Sequence, residues 1–198
     1  MNAEQKNFIE VVGAIASADM KNSGVAASLT TAQAILESAW GKSELTKTGN
    51  ALFGIKATKD WKGKTLTRKT TEYEDGKKVQ VEAEFRAYDT WEDSVKDHSA
   101  FLKKYKRYAK VIGETDYKEA CNAVAAAGYA SDPEYAKKLI ELIETYELYN
   151  YDTKNTNTDD LGAEDKKYYR VQAGAYRRKE GADLMAEKIK KTGHKDVF

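Results

Sequence analysis

Residues 61–88 break the pattern of the chain around them. Lys64 to Tyr73 reads KTLTRKTTEY and is rich in β-branched residues; Asp75-Gly76 follows, and Val79, Val81, Ala83 and Phe85 then alternate with polar residues. A period of two predicts strands, and Asp-Gly between two such runs predicts a tight hairpin. A lone hairpin is marginal in water because it buries too little on its own. This one must lean on its neighbours, and those neighbours read as helices. The expected class is α+β, mainly α: a helical body with an inserted β-hairpin lobe at about residues 61–88 and a groove where flap and body meet.

The helices follow from periods of three to four. Residues 3–21 place Phe8, Val11, Val12 and Ile15 on one face, and Asn22-Ser23-Gly24 ends that helix. A second, closing at Gly41, carries Leu29, Ala32, Leu36 and Trp40 as its expected buried stripe. Glu37 lies one residue off the stripe, at the rim of the core, where partial burial raises a carboxyl pKa toward working pH. Asp89-Thr90 caps a helix with Trp91, Val95, His98, Phe101, Leu102 and Tyr105 on one face, and His98 there reads as a hydrogen-bonded core histidine. Asp116 and Glu119 form a capping box for Tyr117 to Ala127, and Gly128 stops that helix. Asp132 and Pro133 start the last helix of the body, with Tyr135, Leu139, Leu142, Ile143 and Tyr146 in register.

Residues 150–165, NYDTKNTNTDDLGAED, offer little to bury and read as a linker, and 166–198 read as a short βα(β) segment. The expected plan is thus a catalytic-sized domain at 1–149, a linker at 150–165 and a small appendage at 166–198.

Charge and composition exclude several functions. Lys and Arg number 33 against 32 Asp and Glu, a net charge of +1 that makes no case for nucleic acid. Ten Lys/Arg and six Asp/Glu fall from Glu164 onward, leaving 23 basic and 26 acidic residues before it, so a mildly acidic body carries a basic tail. A single cysteine, Cys121, rules out an internal disulfide and reads as a small buried thiol. No run approaches 18 apolar residues, so no membrane span is expected. Residues 1–21 lack the basic start and apolar run of a signal peptide, so delivery to any target outside the membrane is expected by another route. Two histidines and one cysteine do not make a usual zinc site, and neither a phosphate loop nor a GxSxG elbow occurs. No metal and no cofactor is therefore expected. Acids and aromatics remain, with 13 tyrosines and three tryptophans among them. Carboxylates across an aromatic groove suit glycoside hydrolysis, where one acid protonates the leaving oxygen and a second group activates water or stabilises the cation.

Several motifs sharpen that reading when taken in order. They are AQAILESAWGKS at 32–43, NALFGIK at 50–56, WKG at 61–63, TTEYEDG at 70–76, FRAY at 85–88 and GYASDPEY at 128–135. The series closely resembles glycoside hydrolase family 73, the peptidoglycan N-acetylglucosaminidases of autolysins, flagellar-rod hydrolases and phage endolysins, across about residues 5–148. Ala39, where a glycine is common, and Ala51, where a second asparagine often sits, are mild departures. The resemblance implies a lysozyme-like helical fold with a β-lobe. It also implies cleavage of the β-1,4 bond between N-acetylglucosamine and N-acetylmuramic acid in the glycan strands of the bacterial cell wall. By position, Glu37 corresponds to the general acid, Glu72 to the second carboxylate and Tyr129 to the functional tyrosine, with Glu74 a rival to Glu72. Asn50, Phe53, Trp61 and Tyr135 are candidates to line the groove and bind substrate.

Inverting, covalent retaining and substrate-assisted routes all stay open, since carboxyls about 6.5–9.5 Å apart suit inversion and about 5–5.5 Å a covalent intermediate. A non-catalytic glycan-binding module and a muramidase or lytic transglycosylase on the same fold are the alternatives. The tail's YRVQAGAY at 169–176 resembles the opening strand of a SPOR domain, a module that binds denuded glycan strands. Only the first half of such a domain would fit in 166–198, so its sheet is expected to be incomplete.

Overall fold

The helix Ala27–Ser38 (α2) is the element the others pack around. The structure, a computed structural model, describes residues 1–74 and 77–153, the side chains of 71–74, 77–78 and 153 excepted. Every residue of α2 from Ala27 to Ile35 is buried. Its small residues, Ala27, Ser28, Ala32 and Ala34, let neighbours approach closely. Those neighbours are Ala3–Ser23 (α1), Tyr117–Ala126 (α5), Tyr135–Thr145 (α6) and Asn150–Thr153 (α7). Thr31 Oγ1 donates to Ala27 O at 2.7 Å and Ser38 Oγ to Ala34 O at 2.5 Å, so these two hydroxyls meet their needs from the helix's own carbonyls.

This encirclement corrects the single-stripe reading. Leu36, expected inside, is 37% exposed, whereas Gln33, Ala34 and Ile35 are buried. A helix covered on most sides has no polar face over its first nine residues, and its last turn alone reaches the surface. On α1 the buried face is Phe8, Ile9, Val12 and Ala16, while Val11 is 40% exposed. Val11 lies about 100° from Val12 around the axis, on the solvent side of the seam. Asn2 caps α1 in a capping box with Gln5, and Gly24 ends it in the left-handed region at φ 74°.

Residues 44–49, which carried no helical expectation, form the short helix Glu44–Gly49 (α3), capped by Ser43. The hairpin is as expected: Lys64–Glu74 (β1) pairs antiparallel with Lys77–Ala87 (β2), with Lys64 opposite Ala87 and Glu74 opposite Lys77. Its base is tied to the body. Arg86 N donates to Ile55 O and Tyr88 N to Gly49 O, both at 2.8 Å, so the apolar strip after α3 runs alongside the end of β2. Phe85 and Ala87 are buried there, while residues 80, 82 and 84 face solvent.

Trp91–Lys104 (α4) is capped by Thr90, as expected, and a 3₁₀ turn at Lys106–Tyr108 follows. Asp116 caps α5 by accepting from Lys118 N and Glu119 N. α6 begins two residues later than expected. Asp132 Oδ1 accepts from Glu134 N, but Asp132 to Glu134 form a turn, and Tyr135 is the first helical residue.

The start of the expected linker belongs to the body. α7 places the Tyr151 ring against Gly13, where a Cβ would lie 2.5 Å from that ring, and Ser17 Oγ donates to Tyr151 O at 2.7 Å. Asp152 then supplies what α2 lacks, because Ala26 offers no side-chain cap. Its Oδ1 accepts from Ser28 N at 2.8 Å, 124 residues away in sequence. The remaining linker and the βα(β) segment at 166–198 lie outside the described residues. Among the described residues, no helix is long and apolar enough to cross a membrane.

Candidate active site

The acid sits where α2 surfaces. α2 ends at Ser38, and Ala39, Trp40 and Gly41 follow with φ of 50°, 63° and 75°. Three left-handed residues in a row reverse the chain, with Gly41 N donating to Ser38 Oγ at 2.7 Å and Ser43 N to Ser38 O at 2.8 Å. The reversal puts Trp40 edge-on to Phe8 and Tyr146, with ring centroids at 6.1 and 5.1 Å. At Gly41 a Cβ would come within 3.0 Å of Phe8. Trp40 thus anchors the end of the helix and leaves Glu37 at its rim.

Glu37 is open to solvent on one side, and its Oε1 accepts from Tyr135 Oη at 2.8 Å. Burial of the carboxyl against the protein raises its pKa above the ordinary value, and the Tyr135 hydrogen bond opposes this by favouring the charged form. A carboxyl that stays protonated toward neutral pH can act as a general acid. Tyr135, a candidate groove-lining residue, is only 2% exposed and lies beneath the carboxyl. Gln33 Nε2 donates to Tyr135 Oη at 3.0 Å, so Gln33, Tyr135 and Glu37 form one chain of hydrogen bonds.

Tyr129 adjoins this chain. α5 ends through Gly128 at φ 72°, and Tyr129 stacks its ring on Tyr135 with centroids 5.9 Å apart and planes 16° from parallel. Its other neighbours are His98, Tyr108 and Phe101. Burial holds the Tyr129 phenol well above its ordinary pKa, so it stays a neutral hydroxyl.

The other expected residues separate. Phe53 is 5% exposed and stacks on His98 at 4.0 Å, so it belongs to the core under the site. His98 is fully buried as expected, but neither ring nitrogen has a hydrogen-bond partner among the described residues, and burial pushes its pKa down to about 3. Asn50 takes the left-handed position that ends α3, and its Nδ2 donates to Tyr88 O and Asp89 O, which ties α3 to the end of the hairpin. Trp61, a candidate groove-lining residue, is half-buried. Its Nε1 donates to Lys64 O at 2.9 Å, and its ring covers Arg86 at 4.6 Å. Beneath it Arg86 Nη1 bonds both oxygens of Asp97, at 3.0 and 2.9 Å, and Tyr88 Oη donates to Asp97 Oδ2 at 2.7 Å. A cleft of about 170 Å³ opens here between Trp61 and Phe101. Glu72 stands on β1 opposite Val79 and Glu74 opposite Lys77, at the far end of the hairpin. Their side chains lie outside the described residues.

Sequence reasoning missed Gln33 and the Arg86–Asp97–Tyr88 cluster. The AQAILE motif contains Gln33 four residues before Glu37, a spacing that puts the two on one face. Among the described residues, no group of three or more His, Cys, Asp or Glu could hold a metal ion.

A glucosaminidase profile, described as mannosyl-glycoprotein endo-β-N-acetylglucosaminidase, matches residues 13–148. The exo-glucosaminidase LytG of Bacillus subtilis is 40% identical over 157 residues, which are 77% of this chain and 55% of LytG. The peptidoglycan hydrolase FlgJ of Salmonella typhimurium is 36% identical over 148 residues, 73% of this chain and 47% of FlgJ. The chain therefore spans about half the length of the curated relatives it matches. Among solved structures, the catalytic domain of the Listeria monocytogenes autolysin Auto superposes with a TM-score of 0.70 at 34% identity, covering 77% of this chain and 89% of that one. The mostly helical fold with its two-stranded sheet is shared with these glycoside hydrolase domains. The match across residues 13–148 and the shared fold place the chain in the glucosaminidase family, glycoside hydrolase family 73.

Proposed function

We propose that the protein hydrolyses peptidoglycan as an N-acetylglucosaminidase, cutting the β-1,4 bond between N-acetylglucosamine and N-acetylmuramic acid, with Glu37 as the general acid. The observation that carries this is the Glu37 carboxyl: it stands at a solvent-facing rim, its pKa is raised above the ordinary value by desolvation, and it is fixed by Tyr135 beside Tyr129. Family membership supplies the reaction type. Its place of action is the bacterial cell wall.

Glu37 protonates the glycosidic oxygen as the bond to the anomeric carbon breaks. Charge then develops on the sugar ring, and a second group must help. In this reading Glu72 takes that role by activating water. The neutral Tyr129 hydroxyl beside the acid is suited to orient the substrate or that water by hydrogen bonding. Trp61, over its buried Arg86–Asp97 pair, offers a flat face for a sugar ring.

Purified cell walls provide the test. Wild type clears them, and Glu37→Gln, which keeps the shape and removes the proton, is expected to lose nearly all activity; lysis equal to wild type would reject Glu37 as the acid, and wild type that binds the walls without clearing them would favour a glycan-binding module. Glu72→Gln separates the routes, because water activation requires that carboxylate and assistance by the substrate's own N-acetyl group does not. The family description reads endo and LytG is named an exo enzyme. Our reading is endo cleavage, which predicts products of mixed length early in digestion. Residues 166–198 we read as an accessory wall-associated segment. It predicts weaker sedimentation with denuded glycan for a chain ended at residue 165.

A further inference from the structure

Tyr135 is covered by the body, with 2% of its surface exposed, so it does not offer a ring to a sugar. Its hydroxyl instead has two partners, Glu37 Oε1 at 2.8 Å and Gln33 Nε2 at 3.0 Å. A phenol has one proton to give. A carboxylate can only accept, so that proton points to Glu37, and the lone pair left on Oη must be met by the Gln33 amide N–H. The direction of the whole chain is fixed: Gln33 donates to Tyr135 and Tyr135 donates to Glu37. Gln33 is fully buried, and its Oε1 has no partner among the described residues. An amide held inside the core with one end unmet needs a reason, and the Tyr135 bond supplies it.

We infer that Tyr135 and Gln33 are positioning residues that hold the Glu37 carboxyl so that its acid proton sits on Oε2. Tyr135 occupies Oε1 as a donor. When Glu37 is protonated, the proton resides on the other oxygen, Oε2, which becomes the donor to the glycosidic oxygen. The same bond stabilises the ionised form left after proton transfer, and Gln33 strengthens it by polarising the phenol. The Tyr129 ring stacked on Tyr135 keeps the phenol from swinging away. This inference rests on Glu37 being the general acid.

The test is the rate of reducing-end release from purified peptidoglycan as a function of pH, for wild type, Tyr135→Phe, Gln33→Leu and the double variant. Tyr135→Phe keeps the ring and removes only the hydroxyl. Losing a donor to the charged form raises the acid's pKa, so the high-pH limb of the profile moves up by about one pH unit. kcat falls about tenfold because the proton is no longer confined to one oxygen, while KM holds. Gln33→Leu shifts the limb the same way by less. The double variant matches Tyr135→Phe alone, since Gln33 acts through Tyr135. Thermal unfolding of each variant confirms that it is folded under the assay conditions. An unmoved high-pH limb in folded Tyr135→Phe, or a change in KM alone, overturns the inference. Glu37→Gln run alongside distinguishes the failures: if it stays active, the acid assignment has fallen, and if it is inactive with the Tyr135→Phe profile unmoved, only the positioning role has.

Discussion

His98 gives the protein a stability that depends on pH in a direction the structure fixes. Its imidazole is fully buried, stacked on Phe53, and burial pushes its pKa from 6.5 down to about 3. The folded protein therefore keeps it neutral, whereas the unfolded chain takes up the proton below pH 6.5. Stability is full above that value and falls as pH drops toward 3. At pH 5 the unfolded state has gained about 1.5 pH units of protonation, roughly 2 kcal/mol. For a domain of this size that is a fall in Tm of roughly 4–8 °C. Other groups titrate over the same range, so the clean measurement is a difference. Urea unfolding of wild type and His98→Leu is followed at pH 7 and pH 5. The substitution carries a packing cost that is the same at both pH values, and acid titration of His98 disappears in the variant. The gap between the two proteins should shift by roughly 2 kcal/mol in favour of His98→Leu on going to pH 5. Parallel curves would show that His98 titrates alike in both states and would refute the reasoning.

Four further outcomes are expected. Asp152→Ala removes the cap on α2 and should cost about 0.5–2 kcal/mol by urea unfolding. Arg86→Ala leaves Asp97, only 17% exposed, with Tyr88 as its one remaining side-chain donor among the described residues, and should cost about 3–5 kcal/mol, the usual loss when one partner of a buried pair is removed. Ala39→Gly relieves a left-handed alanine and should raise stability by about 0.5–1 kcal/mol with activity retained. Glu37→Gln should raise Tm at pH 7. The folded state binds the Glu37 proton more tightly than the unfolded chain, so that stability is present at low pH and lost as pH rises through the raised pKa. The gain should vanish by pH 4, and an equal gain at both pH values would contradict it.

Features set by local chemistry were legible in the sequence. Asp75-Gly76 between alternating runs announced the hairpin, and Thr90 and Asp116 announced the starts of α4 and α5. Leu36 was misplaced because a single stripe assumes one buried face, and α2 is covered on most of its circumference. Glu37 was legible as a rim residue, one step off the apolar positions. Its partner was not: Gln33 and Tyr135 are 102 residues apart, and no spacing within either segment records that their side chains meet. The same holds for Asp152, which read as part of a polar linker until α7 brought it to the start of α2. Asn50 read as a groove residue, yet a left-handed turn and two carbonyls explain it.

The new reducing ends formed on peptidoglycan test the central claim most directly. Digestion by wild type should yield reducing N-acetylglucosamine, and Glu37→Gln at equal concentration should yield nearly none. Reducing muramic acid or anhydromuramic acid from wild type, or the same products from Glu37→Gln at an undiminished rate, would contradict it.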